Sequence, residues 1–303
     1  MNRHLFVFPL VLLFSAACSS EDSDSPDGGT TTDDSLHGGV VVTFAAPTDD
    51  QDGYATILGR FFDGATPNAI PLELDMEQDG CELLVPALPF CNTPCAPDVC
   101  TADDVCTPYP APTSVGTLVI DGLGSQLMLQ PASSMVVYQA PSLAFPPCEE
   151  GAAVSATGDG VALEAECIAP LELSGPDPIP VSSGEAVQVE WLPAAAAASS
   201  RIRIGLDISH HGGSKGEISC DVPDTGSFAI PEPLVTKLIS LGLAGYPTIS
   251  VNRVSAGTDA SKPNASLVLT AGVERAVDTG VTSCQDDVEC ADGQSCLPER
   301  VCG

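Results

Sequence analysis

Apolar and polar residues alternate most regularly over residues 201–208, where Ile202, Ile204, Leu206 and Ile208 fall on one side and Arg201, Arg203, Gly205 and Asp207 on the other. A period of two belongs to an extended chain whose successive side chains face opposite ways, so this segment predicts a strand with one buried and one wetted face. Residues 217–222 alternate in the same sense. With the glycine-rich stretch 209–216 between them, the two segments predict a hairpin with a longer loop. Shorter runs rich in β-branched and aromatic residues, bounded by Gly and Pro, predict strands at 40–44, 54–58, 117–121, 126–130, 135–139, 161–166, 186–191, 248–254 and 266–270.

One segment has helical spacing instead. Leu234, Leu238 and Leu241 recur at the period of a helix face, Pro231 stands at the start and Gly242 at the end, so a helix is predicted over 231–241. The five alanines at 194–198 are too few to nucleate a helix in water and are read as loop. The pattern as a whole is all-β: sandwich-like units with one short helix, a disulfide-rich clip and a disulfide-rich C-terminal tail. The expected divisions are a leader at 1–17, an acidic tether at 18–38, and a small β unit closed by a cysteine-rich clip at 39–112. A β unit at 113–170, a sandwich-like unit with the helix at 171–279 and a cysteine-rich tail at 280–303 follow.

The first residues carry a different pattern. Arg3 precedes an apolar run from Leu5 to Phe14, then Ser15-Ala16-Ala17-Cys18 gives way abruptly to Ser19-Ser20-Glu21-Asp22. The run is shorter than the ~20 residues a bilayer span needs, and Pro9 interrupts it, so it reads as a cleaved export signal. The cleavage region resembles the lipobox of bacterial lipoproteins, with Ser15 standing where that family usually has leucine. The resemblance implies that Cys18 becomes a lipidated N-terminus and that the protein is held at a membrane of the bacterial cell envelope, the outer membrane being the expected one. Residues 19–36 hold almost nothing apolar and are expected to act as a disordered spacer.

Charge narrows the partners. Loss of Arg3 with the leader leaves nine basic against 41 acidic side chains, a formal charge of −32. Phosphate backbones and anionic headgroups bind proteins through Lys and Arg, so nucleic acid is excluded as a partner. The acidity serves solubility, or divalent-cation binding on acidic loops.

Setting Cys18 aside, twelve of the thirteen cysteines remain, an even number suited to complete pairing in an oxidising compartment. No two cysteines have C-x-x-C spacing, which removes the usual signature of both zinc ribbons and thiol oxidoreductases. Cys284, Cys290, Cys296 and Cys302 are each separated by five residues and predict two local disulfides in the tail. The pairing of Cys81, Cys91, Cys95, Cys100, Cys106, Cys148, Cys167 and Cys220 stays open at this level. One arrangement joins Cys148 to Cys167 and Cys220 to the earlier group. The C-x5-C-x5-C-x5-C tail, with Asp286-Asp287 and Asp292-Gly293 between its cysteines, resembles modules of cysteine-rich lipoproteins of myxobacteria and related bacteria. The strings Cys106-Thr107-Pro108-Tyr109-Pro110, Asp207-Ile208-Ser209-His210-His211-Gly212-Gly213 and Asp224-Thr225-Gly226-Ser227 are similar to the same group. That resemblance implies location and architecture and carries no known activity.

Candidate chemistry gathers on the loop 207–216. Gly212-Gly213-Ser214-Lys215-Gly216 matches the G-x-S-x-G string of serine hydrolases, with Asp207, His210 and His211 just upstream. The context opposes it: a nucleophile elbow follows a strand and opens a helix, whereas Ser214 precedes a strand, and no histidine follows position 211. His210 and His211 beside Asp207 are also the best candidate metal ligands, a loop pair at a hairpin tip being the plainer reading. Asp50 and Asp52, before Gly53, suggest calcium, but an EF-hand loop counted from Asp50 would need glutamate where Phe61 stands. Trp191 alternates with Val187 and Val189 and is read as core. The expectation is a lipid-anchored, extracytoplasmic, non-enzymatic module for binding or structure, whose partner is another protein or an envelope component. The alternatives are a secreted hydrolase using the 207–216 loop and a calcium-dependent adhesion module.

Overall fold

The computed structural model describes residues 35–48, 51–132, 135–195, 199–209, 215–243 and 247–280, together with 288, 290, 293–296 and 302. Chain contacts divide the molecule into Met1–Thr31 and Thr32–Gly303, and the second unit holds all the described residues. It is all-β with one helix. The strands are β1 (His37–Ala45), β2 (Tyr54–Phe62), β3 (Leu72–Gln78), β4 (Cys81–Pro86), β5 (Val99–Ala102), β6 (Val105–Thr107), β7 (Leu118–Asp121), β8 (Leu127–Leu129), β9 (Val137–Gln139) and β10 (Leu143–Ala144). They continue with β11 (Ala153–Gly158), β12 (Val161–Glu166), β13 (Leu173–Ser174), β14 (Ile179–Pro180), β15 (Val187–Trp191), β16 (Arg201–Asp207), β17 (Glu217–Pro223) and β18 (Ser227–Ile230). Helix α1 (Glu232–Ser240) precedes the two longest strands, β19 (Thr248–Asp259) and β20 (Lys262–Asp278).

Eleven strands form one sheet in the order β10-β2-β1-β20-β19-β16-β17-β4-β3, with β9 added beside β2 and β14 beside β20. Its strands come from 37–86, 137–144, 179–180 and 201–278, so the sheet crosses the divisions expected at 112/113 and 170/171. The joins are long-range: β1 lies parallel to β20 with Val42 opposite Leu269, and β4 lies antiparallel to β17 with Cys81 opposite Cys220. A disulfide between those two buried cysteines, 139 residues apart, ties the β3–β4 hairpin to the body. Of the smaller sheets, β12-β11-β7-β8 packs against β19 and β20 through β12 as a second layer, and β13-β15-β18 contributes Val187, Val189, Trp191 and Ile230 to the same core.

The period-two reading of 201–208 holds residue by residue. Ile202, Ile204, Leu206 and Ile208 are all buried, and they meet Ile218, Cys220 and Val222 of β17 and Ile249 and Val251 of β19 in one core. Burial of each such side chain contributes on the order of 2 kcal/mol against leaving it in water. Helix α1 begins after Pro231, carries Glu232 in its first turn and Lys237 in its last as the helix dipole favours, and buries Leu234, Val235 and Leu238.

Several strands exceed or escape the sequence pattern. β19 runs past 254 and β20 begins ahead of 266 because Asp259 accepts hydrogen bonds from the Ser261 N–H (2.8 Å) and hydroxyl (2.7 Å), folding the chain into a tight hairpin, and β20 continues past 270 by pairing with the start of β19, Ala276 opposite Thr248. These bonds hold the exposed Asp259 carboxyl below the usual carboxylate range. Gly257, which reads as a strand breaker, instead permits close layer packing: a Cβ there would collide with the Glu164 carbonyl of β12. Inside the clip, where no periodicity is visible, β5 and β6 form a small hairpin stapled by Cys91–Cys100 and Cys95–Cys106. β3, β4, β10, β11, β13, β14 and β18 have no counterpart among the expected strands.

The outer strand β3 manages its free edge. Glu73, Asp75 and Glu77 place charge along it, and the register slips between Leu74 and Met76, both of which discourage pairing with another chain.

Candidate functional site

Of the residues that the sequence singles out for chemistry, Cys18, Asp50, His210, His211, Ser214 and Cys284 lie outside the described residues. Asp52 is exposed in the loop that leads into β2. Asp207 ends β16 directly opposite Glu217 at the start of β17. One of its carboxylate oxygens accepts from the Ser209 N–H at 2.7 Å and from the Ser209 hydroxyl at 2.9 Å. The same Ser209 hydroxyl oxygen accepts from the Lys215 N–H at 2.9 Å, so a single buried serine ties the two stems of the loop together. Asp207 therefore performs turn work. Burial pushes the Glu217 carboxyl up, and the facing Asp207 carboxylate pushes it further in the same direction.

The cysteines resolve as structure. Cys148 pairs with Cys167, Cys220 with Cys81 and Cys290 with Cys302; Cys296 is also disulfide-bonded. The sulfurs of Cys91, Cys95 and Cys106 come within 4.8 Å of one another, a closeness that follows from two adjacent disulfides. Sulfur so bonded is not the thiolate that ligates a metal.

The most organised polar group among the described residues lies elsewhere. Arg253 sits on β19 on the inward face, in step with Ile249 and Val251, and is only 1% exposed. Its Nε donates to Asp224 Oδ2 at 2.6 Å and its Nη2 to Asp224 Oδ1 at 3.3 Å. Nη2 also donates to the Leu192 carbonyl at 2.6 Å, and Nη1 to the carbonyls of Pro170 (2.6 Å) and Ala169 (3.3 Å). Asp224 in turn accepts from Trp191 Nε1 at 2.7 Å and from the Ser200 hydroxyl at 2.8 Å. Trp191, expected as core, is buried and uses its one polar atom here.

Burial alone would raise the Asp224 carboxyl, but hydrogen bonds from Arg253, Trp191 and Ser200 outweigh it and hold the group below the usual carboxylate range. Among the described residues no buried side-chain nitrogen or oxygen lacks a partner. A charge pair so enclosed and so completely satisfied joins five chain segments and offers no open valence to a substrate. One signal for it was available in sequence: Arg253 occupies an inward position of an otherwise apolar alternation, where only a paired charge is tolerated.

On the opposite, open face of the same sheet lie Arg201 and Arg203 of β16. Arg201 Nε contacts one Asp221 carboxylate oxygen and Arg201 Nη2 donates to the Asp221 carbonyl at 2.8 Å, while Arg203 Nε donates to the second carboxylate oxygen at 3.3 Å. A depression of about 380 Å³ opens beside them, lined by Ser199, Ser200, Arg201, Arg203, Pro223, Val254 and Ala256. Among the described residues no helix is long and apolar enough to cross a membrane. Comparison with protein-family models, with curated proteins and with solved structures finds no match.

Proposed function

We propose that the chain is a lipid-anchored extracytoplasmic module, held at the bacterial outer membrane through Cys18, that binds or organises another protein or envelope component without catalysing a reaction. The observation that carries this reading is the state of the cysteines: eleven of the thirteen are disulfide-bonded, and the other two, Cys18 and Cys284, lie outside the described residues. Such dense pairing suits an oxidising compartment, and an exported chain with a lipobox-like Ser15-Ala16-Ala17-Cys18 has a use for one cysteine that pairs with nothing. The binding role is supported by the open face of the large sheet and by the fact that Asp207, the acid of the candidate catalytic loop, is engaged by Ser209. Asp50, His210, His211 and Ser214, on which the calcium and hydrolase readings depend, lie outside the described residues.

The test is incorporation of radiolabelled palmitate into wild type and Cys18→Ser, with mass analysis of the mature N-terminus. Label in the wild type alone, on a chain beginning at Cys18, is the expected result. Equal labelling of both would sink the anchor.

A further inference from the structure

The open face of the large sheet is not uniform. Strand register places Arg60 of β2, Val41 of β1, Val268 of β20, Val254 and Ala256 of β19 and Arg201 and Arg203 of β16 on that one side, with Asp207, Glu217 and Glu274 on the same side at the far end of the strands. Three of the nine basic residues of the mature chain thus share one face of the sheet, Arg201 and Arg203 together on β16 and Arg60 four strands away, in a protein whose formal charge is −32. Asp221 is shared between two arginines, which leaves that cluster one positive charge in excess. Because both arginines turn Nε toward Asp221, Arg201 Nη1 and both terminal nitrogens of Arg203 have no hydrogen-bond partner among the described residues, and both arginines line the depression. The wall is rigid: Ser200 is held from behind by Asp224, and Val254, although on the open face, is only 6% exposed.

We propose that this depression binds a small monocarboxylate, its anionic end against the terminal nitrogens of Arg201 and Arg203 and its hydrocarbon part over Val254, Ala256 and Pro223. A volume near 380 Å³ falls in the range of small-ligand sites, and paired guanidinium N–H groups match the two oxygens of a carboxylate. The whole-protein field selects among anions. It repels a polyanion or dianion in proportion to charge, so a ligand bearing one negative charge on an otherwise neutral frame reaches the arginines at least cost. The inference gives a ligand class to the binding role proposed above and rests on it.

Hexanoate, hexanamide and inorganic phosphate, titrated into the mature chain at constant ionic strength while the NMR signals of Arg201, Arg203 and Val254 are followed, test the assignment. Hexanoate is expected to saturate with a Kd on the order of 1 mM, hexanamide to give no saturable shift, and phosphate to bind more weakly than hexanoate. Arg201→Gln/Arg203→Gln, which leaves the inward Ile202 and Ile204 untouched, weakens hexanoate about tenfold or more. Asp221→Asn, which removes the competing carboxylate, tightens it by about two- to fivefold. Absence of saturation, equal binding of hexanamide, tighter binding of phosphate, or an affinity that Asp221→Asn leaves unchanged or lowers would each overturn the proposal. Palmitate labelling is independent of this titration: labelling without saturable binding removes the site and keeps the anchor, and binding without labelling does the reverse.

Discussion

Asp221 and Asp224 stand three residues apart and both receive arginine, yet their surroundings differ completely. Asp221 lies on the wetted face of β17, about half exposed like Arg201 and Arg203, and its ion pairs form in water, where the Coulomb gain is small and two long side chains must be ordered. Asp224 lies just past the end of the same strand, where the chain turns inward, and with Arg253 it is withdrawn from solvent altogether. There a bare charge costs several kcal/mol, so every donor of Arg253 and both oxygens of Asp224 have to be matched. The same two residue types thus make an adjustable surface group in one place and a joint that tolerates no vacancy in the other. The first site keeps Arg201 Nη1 and both terminal nitrogens of Arg203 without a hydrogen-bond partner among the described residues, which suits binding, and the second suits rigidity.

The largest expected effect comes from opening the buried pair. Arg253→Met or Asp224→Leu leaves an unpaired buried partner and lowers unfolding free energy by about 3–5 kcal/mol, whereas the double replacement recovers much of that loss. Urea unfolding of the two single variants and the double variant measures it, and additive losses would break the contrast with Asp221. Acid comes next. Because the folded protein binds the Asp224 proton less readily than the unfolded chain, the contribution of that carboxylate is whole above the unfolded value near about 4 and drains away as pH falls through the lower folded value. Thermal melts from pH 7 to pH 2 should show the stability gap between wild type and Asp224→Asn constant above about pH 5 and narrowing below it. The smallest effect belongs to the surface. Arg203→Gln changes stability by less than about 0.5 kcal/mol, and raising salt should abolish even that, while the penalty of Asp224→Leu persists at high salt. A large loss in Arg203→Gln would erase the distinction between the two sites.

The elements legible in sequence are those whose packing is local and periodic. The inward set of β16 and β17 and the short helix with its Pro and Gly boundaries follow from near neighbours. The misses share a cause. β3, Leu72–Gln78, is exposed at almost every position, so no alternation marks it, and it exists because β4 offers a ladder. Gly257 looks like a breaker until the second layer shows which backbone passes over it. Arg253 in an apolar run signalled a buried charge, but nothing nearby names Asp224, Trp191 or Ser200 as its partners. The depression beside Arg201 and Arg203 needs β19 and β17 on either side of β16, and their adjacency is not written in any local stretch.

What the sequence determined alone is therefore chemical and local: an acidic chain, cysteines in number and spacing for disulfides, an all-β pattern, and strands with one apolar side. Each depends on residue type and on neighbours a few positions away. The tertiary structure decided that β1 lies beside β20, that Cys81 meets Cys220 across 139 residues, and that two aspartates three positions apart serve opposite ends. Those outcomes rest on which distant strands pair, a choice made by burial summed over the whole sheet, in which no single segment holds more than a small share of the deciding energy.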